Sequence, residues 1–205
     1  MARILVVGTN NTHKLDEIRP LLAGVNVVLR AAGEFGAFDP IEDGKTLDEN
    51  AILKARAALN LTGEWSIADD TGLEVDALDG RPGLYAARYA GEGCTFRDNI
   101  AKLLRELDGV PEARRTARFV CVIALCRPGD EPATFRATCP GRILEAPRGG
   151  LGFGYDPVFF ADDAGKALAE LTLEEKNRLS HRARAVKLFR SELKNLLSQG
   201  ETFER

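Results

Sequence analysis

IADDTGLEVDALDGRPGLYAARYAG, residues 67–91, opens on two apolar residues, Ile67 and Ala68, and turns at once to Asp69, Asp70, Thr71 and Gly72. The apolar pair reads as the end of a short buried strand, so the two carboxylates are expected where the chain leaves a sheet. Open α/β sheets carry their chemistry at such points, which makes α/β the fold class that the rest of the chain must fit. Neighbouring side chains on extended backbone face opposite ways, so one Asp can point to a cleft while the other serves the loop. The same four residues equally suit an Asx turn, with the carboxylates accepting backbone N–H groups and Gly72 supplying an unusual φ.

Upstream, residues 4–7 form a buried-strand run, followed by Gly8, the polar segment TNNTHK (9–14) and an amphipathic helix with Leu15, Ile18, Leu21 and Leu22 inward. Asn11 or Thr12 can cap that helix, and its first N–H groups with the loop amides and hydroxyls make an anion site. Lys14 stands in the first turn, where the helix dipole disfavours a cation; a bound anion accounts for it, as would Asp16 and Glu17. The spacing is not that of a P-loop. Residues 25–29 read as a second strand, and residues 31–45 as a Gly-, Pro- and acid-rich loop containing Glu42 and Asp43. Thr46 and Glu49 spell a capping box for a helix to about Leu61, with Leu47, Ala51, Ala55 and Ala58 inward. Asn50 and Lys54 lie one turn apart on it, and Lys54 reads by default as a solvated residue.

Downstream, residues 79–83 are a turn, and Tyr85, Arg88 and Tyr89 suit packing or an interface. Thr95 caps a helix whose Phe96, Ile100, Leu103, Leu104 and Leu107 form one apolar stripe. Residues 118–126 are apolar on both faces, as for a central strand, and residues 133–139 alternate, so the two are expected as antiparallel neighbours. In RGGLGFGYDPVFF (148–160) the glycines leave Phe153, Gly154, Tyr155 and Asp156 on flexible backbone; this suits a planar ligand, or equally a bulge with core aromatics. Thr172 and Glu175 form another capping box, opening a helical pattern to about Leu197. Lys176, His181 and Arg182 make a basic solvated face on a continuous helix and converge only if it breaks near Ser180, which is the expectation here.

The 205 residues, 44% of them hydrophobic, suffice for a substantial core in one domain or two joined lobes. A net charge of −3 offers no basic field for nucleic acid or an anionic membrane. Cys94, Cys121, Cys126 and Cys139 lack CxxC spacing, which points to reduced thiols and a cytoplasmic protein. No apolar run reaches signal-peptide or membrane-span length. Two histidines, His13 and His181, cannot build a multi-histidine zinc site; carboxylates remain, and they favour Mg²⁺ or Mn²⁺.

TNNTHK, ENAILKAR, ADDTGLEVDALDGRPGLYAARYAG, GGLGFGYDPVFF and LTLEEKNRLSHRARA, in this order and over nearly the whole chain, resemble the inosine and xanthosine triphosphate pyrophosphatase family. Five ordered motifs are far more specific than any one of them. The resemblance implies a single domain over residues 1–205, an elongated α/β fold with a mixed sheet flanked by helices, and two lobes with a cleft between them. It further implies a homodimer, Mg²⁺ dependence and hydrolysis of ITP, dITP and XTP to monophosphate and pyrophosphate.

Carried over, Thr9, Asn10, Asn11 and Lys14 hold the triphosphate, with Lys54 as a second cation for it. Asp70 is general base and metal ligand, and Glu42, with Asp43 beside it, is the partner carboxylate on the metal. Thr71, where the family usually has Ser, keeps a hydroxyl for the substrate. Phe153, Gly154, Tyr155, Asp156, Lys176, His181 and Arg182 form the base pocket, Phe153 stacking and Arg182 reading the 6-oxo edge. A water deprotonated by Asp70 attacks the α-phosphorus; cleavage there rather than at the γ-phosphorus is implied by the resemblance alone. The competing readings are a nucleotide-binding regulatory module without turnover and a pyrophosphatase for modified pyrimidines.

Overall fold

The computed structural model describes residues 2–200; Met1 and residues 201–205, included in the single-domain reading, lie outside the described residues. Strand β1 (Arg3–Val7) pairs in parallel with β2 (Val27–Ala31) and β3 (Trp65–Val75), Leu5 standing opposite both Leu29 and Trp65. Helices α1 (Thr12–Leu21) and α2 (Leu47–Thr62) make the crossovers that parallel pairing requires. Asn11 caps α1 by accepting the His13 N–H, and Thr46 caps α2 by accepting the Glu49 N–H. The expected capping box is shifted by one residue: the Glu49 carboxylate takes the Lys45 N–H at 2.6 Å.

Beyond β3 come β4 (Pro82–Gly83), α3 (Phe96–Glu106), β5 (Thr116–Cys126), β6 (Ala133–Ile143), β7 (Phe159–Ala161), β8 (Lys166–Ala167), α4 (Leu173–Leu179) and α5 (His181–Gly200). Among the described residues the strands form one mixed sheet, β2-β1-β3-β5-β6-β7-β8, with β4 antiparallel to β3. β5 and β6 are neighbours, as their patterning demands. The helical pattern after Thr172 does break: Ser180 is extended, with φ −64° and ψ 159°.

One expectation is corrected here. Asp69 and Asp70 do not mark the end of a strand; β3 runs through them for 11 residues. The turn-like composition of Asp-Asp-Thr-Gly is overridden by pairing, Leu73 and Glu74 lying opposite Gly83 and Pro82, and Gly72 is not among the residues of positive φ.

The chain divides into two compact units. The first, described over residues 2–70, 121–137 and 182–200, packs Leu5, Val7, Ile67 and Ile123 against Ile18 and Leu22 of α1 and against Val186, Phe189 and Leu193 of α5. Val6, Ala32, Phe38 and Ala58 form a separate small cluster. The second unit, residues 71–120 and 138–181, closes around Leu73, Val75, Leu103, Leu107, Phe119, Ile143 and Phe159.

Candidate active site

Strand alternation sends the two carboxylates of β3 to different partners. Asp70 Oδ1 accepts a hydrogen bond from Lys54 Nζ at 2.5 Å, and the same ammonium lies 3.3 Å from Glu42 Oε2. Lys54 is only 6% exposed, so the default reading of it as solvated is wrong. The signal was present in the spacing: Ala51, Lys54, Ala55 and Ala58 are one face of a helix. Burial alone would lower the Lys54 pKa, but Asp70, Asp69 and Glu42 outweigh it and the ammonium is held protonated. Burial pushes the Asp70 carboxyl above the usual carboxylate range, an effect that Lys54 and Lys14 offset only in part.

Asp69, fully buried, accepts from Arg182 through Nε at 3.2 Å and Nη2 at 3.0 Å, all on Oδ2. Lys14 Nζ lies 3.0 Å from the same oxygen, and Arg182 Nη1 donates to Glu17. Burial would raise the Asp69 pKa, yet Lys14, Arg182 and Lys54 hold it well below the ordinary range. The result is an alternating chain of charge, Glu17, Arg182, Asp69 and Lys14, buried except at the partly exposed Lys14. Glu17, read in the sequence only as a counter-charge for Lys14, pairs instead with Arg182; Lys14, Glu17, Ile18 and Leu21 share one helical face. Arg182, implied for the base pocket, is 1% exposed, and its guanidinium turns to the carboxylates of Asp69 and Glu17.

The loop before α1 is tied locally. Thr9 Oγ1 accepts the Asn11 N–H at 3.1 Å, Asn11 caps the helix, and Asn10 Nδ2 donates to Phe38 O at 2.6 Å. Gly8 brings this loop to α2: a Cβ there would lie 2.9 Å from the Lys54 carbonyl oxygen. Thr71 follows Asp70 on β3 and is partly exposed.

In the second unit Asp156 Oδ2 accepts from the Phe153 N–H at 2.9 Å and from Lys176 Nζ at 2.5 Å, and that ammonium lies 4.9 Å from the Phe153 ring centroid. Tyr155 and Asp156 are therefore not side chains standing on flexible backbone but buried anchors, Tyr155 donating to Ala86 O at 2.8 Å. Gly152 (φ 73°) and Gly154 (φ 66°) supply left-handed turns, and a Cβ on Gly152 would meet Asp156 Oδ2 at 2.2 Å. His181 is buried and stacked on Phe119 at 4.5 Å between centroids.

Asp70 and Glu42 converge on one cation, the Lys54 ammonium, and their hard oxygens suit Mg²⁺ or Mn²⁺. Among the described residues no group of three or more His, Cys, Asp or Glu forms a metal cage. A two-carboxylate site whose remaining positions go to water and phosphate oxygens is the ordinary Mg²⁺ arrangement, so the residues fit the metal.

Residues 5–192 match the Ham1 family model. The chain is 52% identical over 190 residues to a dITP/XTP pyrophosphatase of Geobacter sulfurreducens, covering 92% of this chain and 96% of that protein. It is 45% identical over 183 residues to a dITP/XTP pyrophosphatase of Bacillus subtilis, covering 89% and 92%. Among solved structures, a HAM1 protein from Coxiella burnetii superposes with a TM-score of 0.86 at 37% identity, covering 94% of this chain and 99% of that one. The Staphylococcus aureus Ham1 protein gives 0.84 at 39% identity over the same shares. With its fold, its ordered motifs and nearly its whole length accounted for in this way, the chain belongs to the Ham1 family.

Proposed function

We propose that the protein hydrolyses deaminated purine nucleoside triphosphates, dITP, XTP and ITP, to the monophosphate and pyrophosphate, removing them from the nucleotide pool. The observation that carries this reading is the Asp70, Lys54 and Glu42 group on β3, α2 and the preceding loop, in a chain of this family. Asp70, its carboxyl raised by burial, takes the proton of the attacking water. Lys14 and Lys54 neutralise charge on the phosphates, with the Thr9, Asn10, Asn11 loop and the first N–H groups of α1 around them. Asp70 and Glu42 would hold Mg²⁺, which when bound would neutralise further phosphate charge and acidify nearby water.

Phe153 offers a face for the base, and Lys176 and His181 offer donors for its 6-oxo edge; Thr71, Gly154, Tyr155 and Asp156 complete or support the substrate contacts. A donor facing the 6-amino group of adenine would be unpaired, which disfavours ATP. Guanine shares the 6-oxo group and must be rejected by leaving its 2-amino group desolvated without an acceptor. Arg182, next to His181 in sequence, belongs to the same set of donors and also holds Asp69 beside Lys14. Cys94, Cys121, Cys126 and Cys139, without CxxC spacing, support a cytoplasmic setting, and no helix of the described residues is long and apolar enough to cross a membrane. The family resemblance supports a homodimer, which light scattering would check.

The test is pyrophosphate release from XTP, dITP, ITP, ATP, GTP and modified pyrimidine triphosphates, with and without Mg²⁺. Release from the deaminated purines that needs Mg²⁺ is the expected result. Binding without turnover would turn the reading to a regulatory module, and preference for a pyrimidine would move the substrate class.

A further inference from the structure

Glu42 sits in a stretch, residues 37–44, without regular secondary structure, and its side chain is 39% exposed. A carboxylate so placed needs a tether to meet a buried partner reproducibly. The tether lies two residues on. Asn50, 1% exposed in the first turn of α2, accepts the Gly44 N–H on Oδ1 at 2.8 Å. Glu49 takes the next N–H, that of Lys45. The contact is close enough to require glycine: a Cβ on Gly44 would lie 2.5 Å from Asn50 Oδ1 and 2.8 Å from the Glu49 Cβ. One helical turn beyond Asn50, on the same face, Lys54 holds Glu42 and Asp70 together.

We infer that Asn50 is a positioning residue of the metal-dependent step, fixing Glu42 beside Asp70 through the Gly44 N–H so that both carboxylates meet one divalent cation. The inference rests on the proposed function. The residue type fits the task. An amide accepts the N–H without adding a third negative charge to a group in which one ammonium already faces two carboxylates. Alanine or serine at this position would not span the distance to Gly44.

The measurement is Mn²⁺ binding in the presence of pyrophosphate, read from the electron paramagnetic resonance signal of free Mn²⁺, for wild type, Asn50→Ala, Gly44→Ala, Glu42→Gln and the Glu42→Gln/Asn50→Ala double variant. Asn50→Ala and Gly44→Ala break the tether from its two sides, and each should weaken Mn²⁺ binding about 10-fold, the lower end for partners that orient a metal ligand. The double variant should bind no more weakly than Glu42→Gln, because Asn50 acts through Glu42. Wild-type-like Mn²⁺ binding in Asn50→Ala, or an undiminished further loss in the double variant, overturns the inference. Should Asn50→Ala not fold, Gly44→Ala, on a loop outside the core, decides it by the same criterion. Absence of Mg²⁺-dependent pyrophosphate release in wild type defeats the proposed function itself; turnover in wild type with unchanged Mn²⁺ binding in both tether variants defeats the inference alone.

Discussion

As the proposed base, Asp70 would take a proton from water with a carboxyl whose ordinary pKa is near 4, and burial helps by making its charged form less comfortable. Replacing it with Asn keeps the shape and removes base and metal charge together. Turnover in Asp70→Asn should fall at least about 100-fold while nucleotide binding largely survives; activity within a few-fold of wild type rejects the assignment. The opposing cation makes a second, sharper test. Lys54 pulls the Asp70 pKa down, so Lys54→Met should move the acid limb of the kcat/KM profile to higher pH, and an unmoved limb would mean that another group sets it. Asp69 behaves oppositely, its pKa depressed by Lys14 and Arg182 against burial. Its contribution to stability is therefore present above the unfolded carboxylate value of about 4 and is lost as pH falls through its folded value. Asp69→Asn takes one carboxylate from the buried Arg182 and from the partly exposed Lys14 and should cost about 3–5 kcal/mol in urea unfolding at pH 7. The gap to wild type should narrow as the medium becomes acidic.

At the scale of elements, the glycines of the loop before β7 decide whether its polar anchors can form. Gly152 is left-handed and sits against the Asp156 carboxylate, so Gly152→Ala both strains the backbone and drives Asp156 off Lys176 and the Phe153 N–H. Each charge-assisted bond lost is worth about 1.5–3 kcal/mol, so nucleotide affinity should drop roughly 10-fold or more with a lowered melting temperature. Unchanged affinity would separate this loop from the base. The break between α4 and α5 was expected on chemical grounds, because Lys176, His181 and Arg182 could meet one ligand only if the helix stopped near Ser180; local rules alone carried the pattern on to about Leu197. The continuation of β3 through Asp69 and Asp70 was not legible. Local composition there spells a turn, and only pairing with β4 and cations from other elements make an extended path stable.

At the scale of the molecule, what the sequence could not convey is partnership across long chain distances. Arg182 and Glu17 are 165 residues apart, and Arg182 and Asp69 are 113 apart; no periodicity links them, so the ion pairs of Arg182 with these buried carboxylates could not be read from its motif. The parallel β1, β2 and β3 with their crossover helices were readable, because each step is a local pattern. The same division gives the last prediction. The residues proposed for phosphate fall in the first unit, on α1 and the loop before it, α2 and β3, whereas Phe153, Asp156 and Lys176 fall in the second. Pyrophosphate with Mg²⁺ should therefore slow amide exchange over residues 9–18 and leave residues 149–158 unchanged. The nucleoside inosine, which has a base and no phosphate, should protect the second segment first and residues 9–18 little. Equal protection of both segments by pyrophosphate would mean that phosphate binding orders the whole chain, and the assignment of phosphate and base to separate sets of residues would have to be withdrawn.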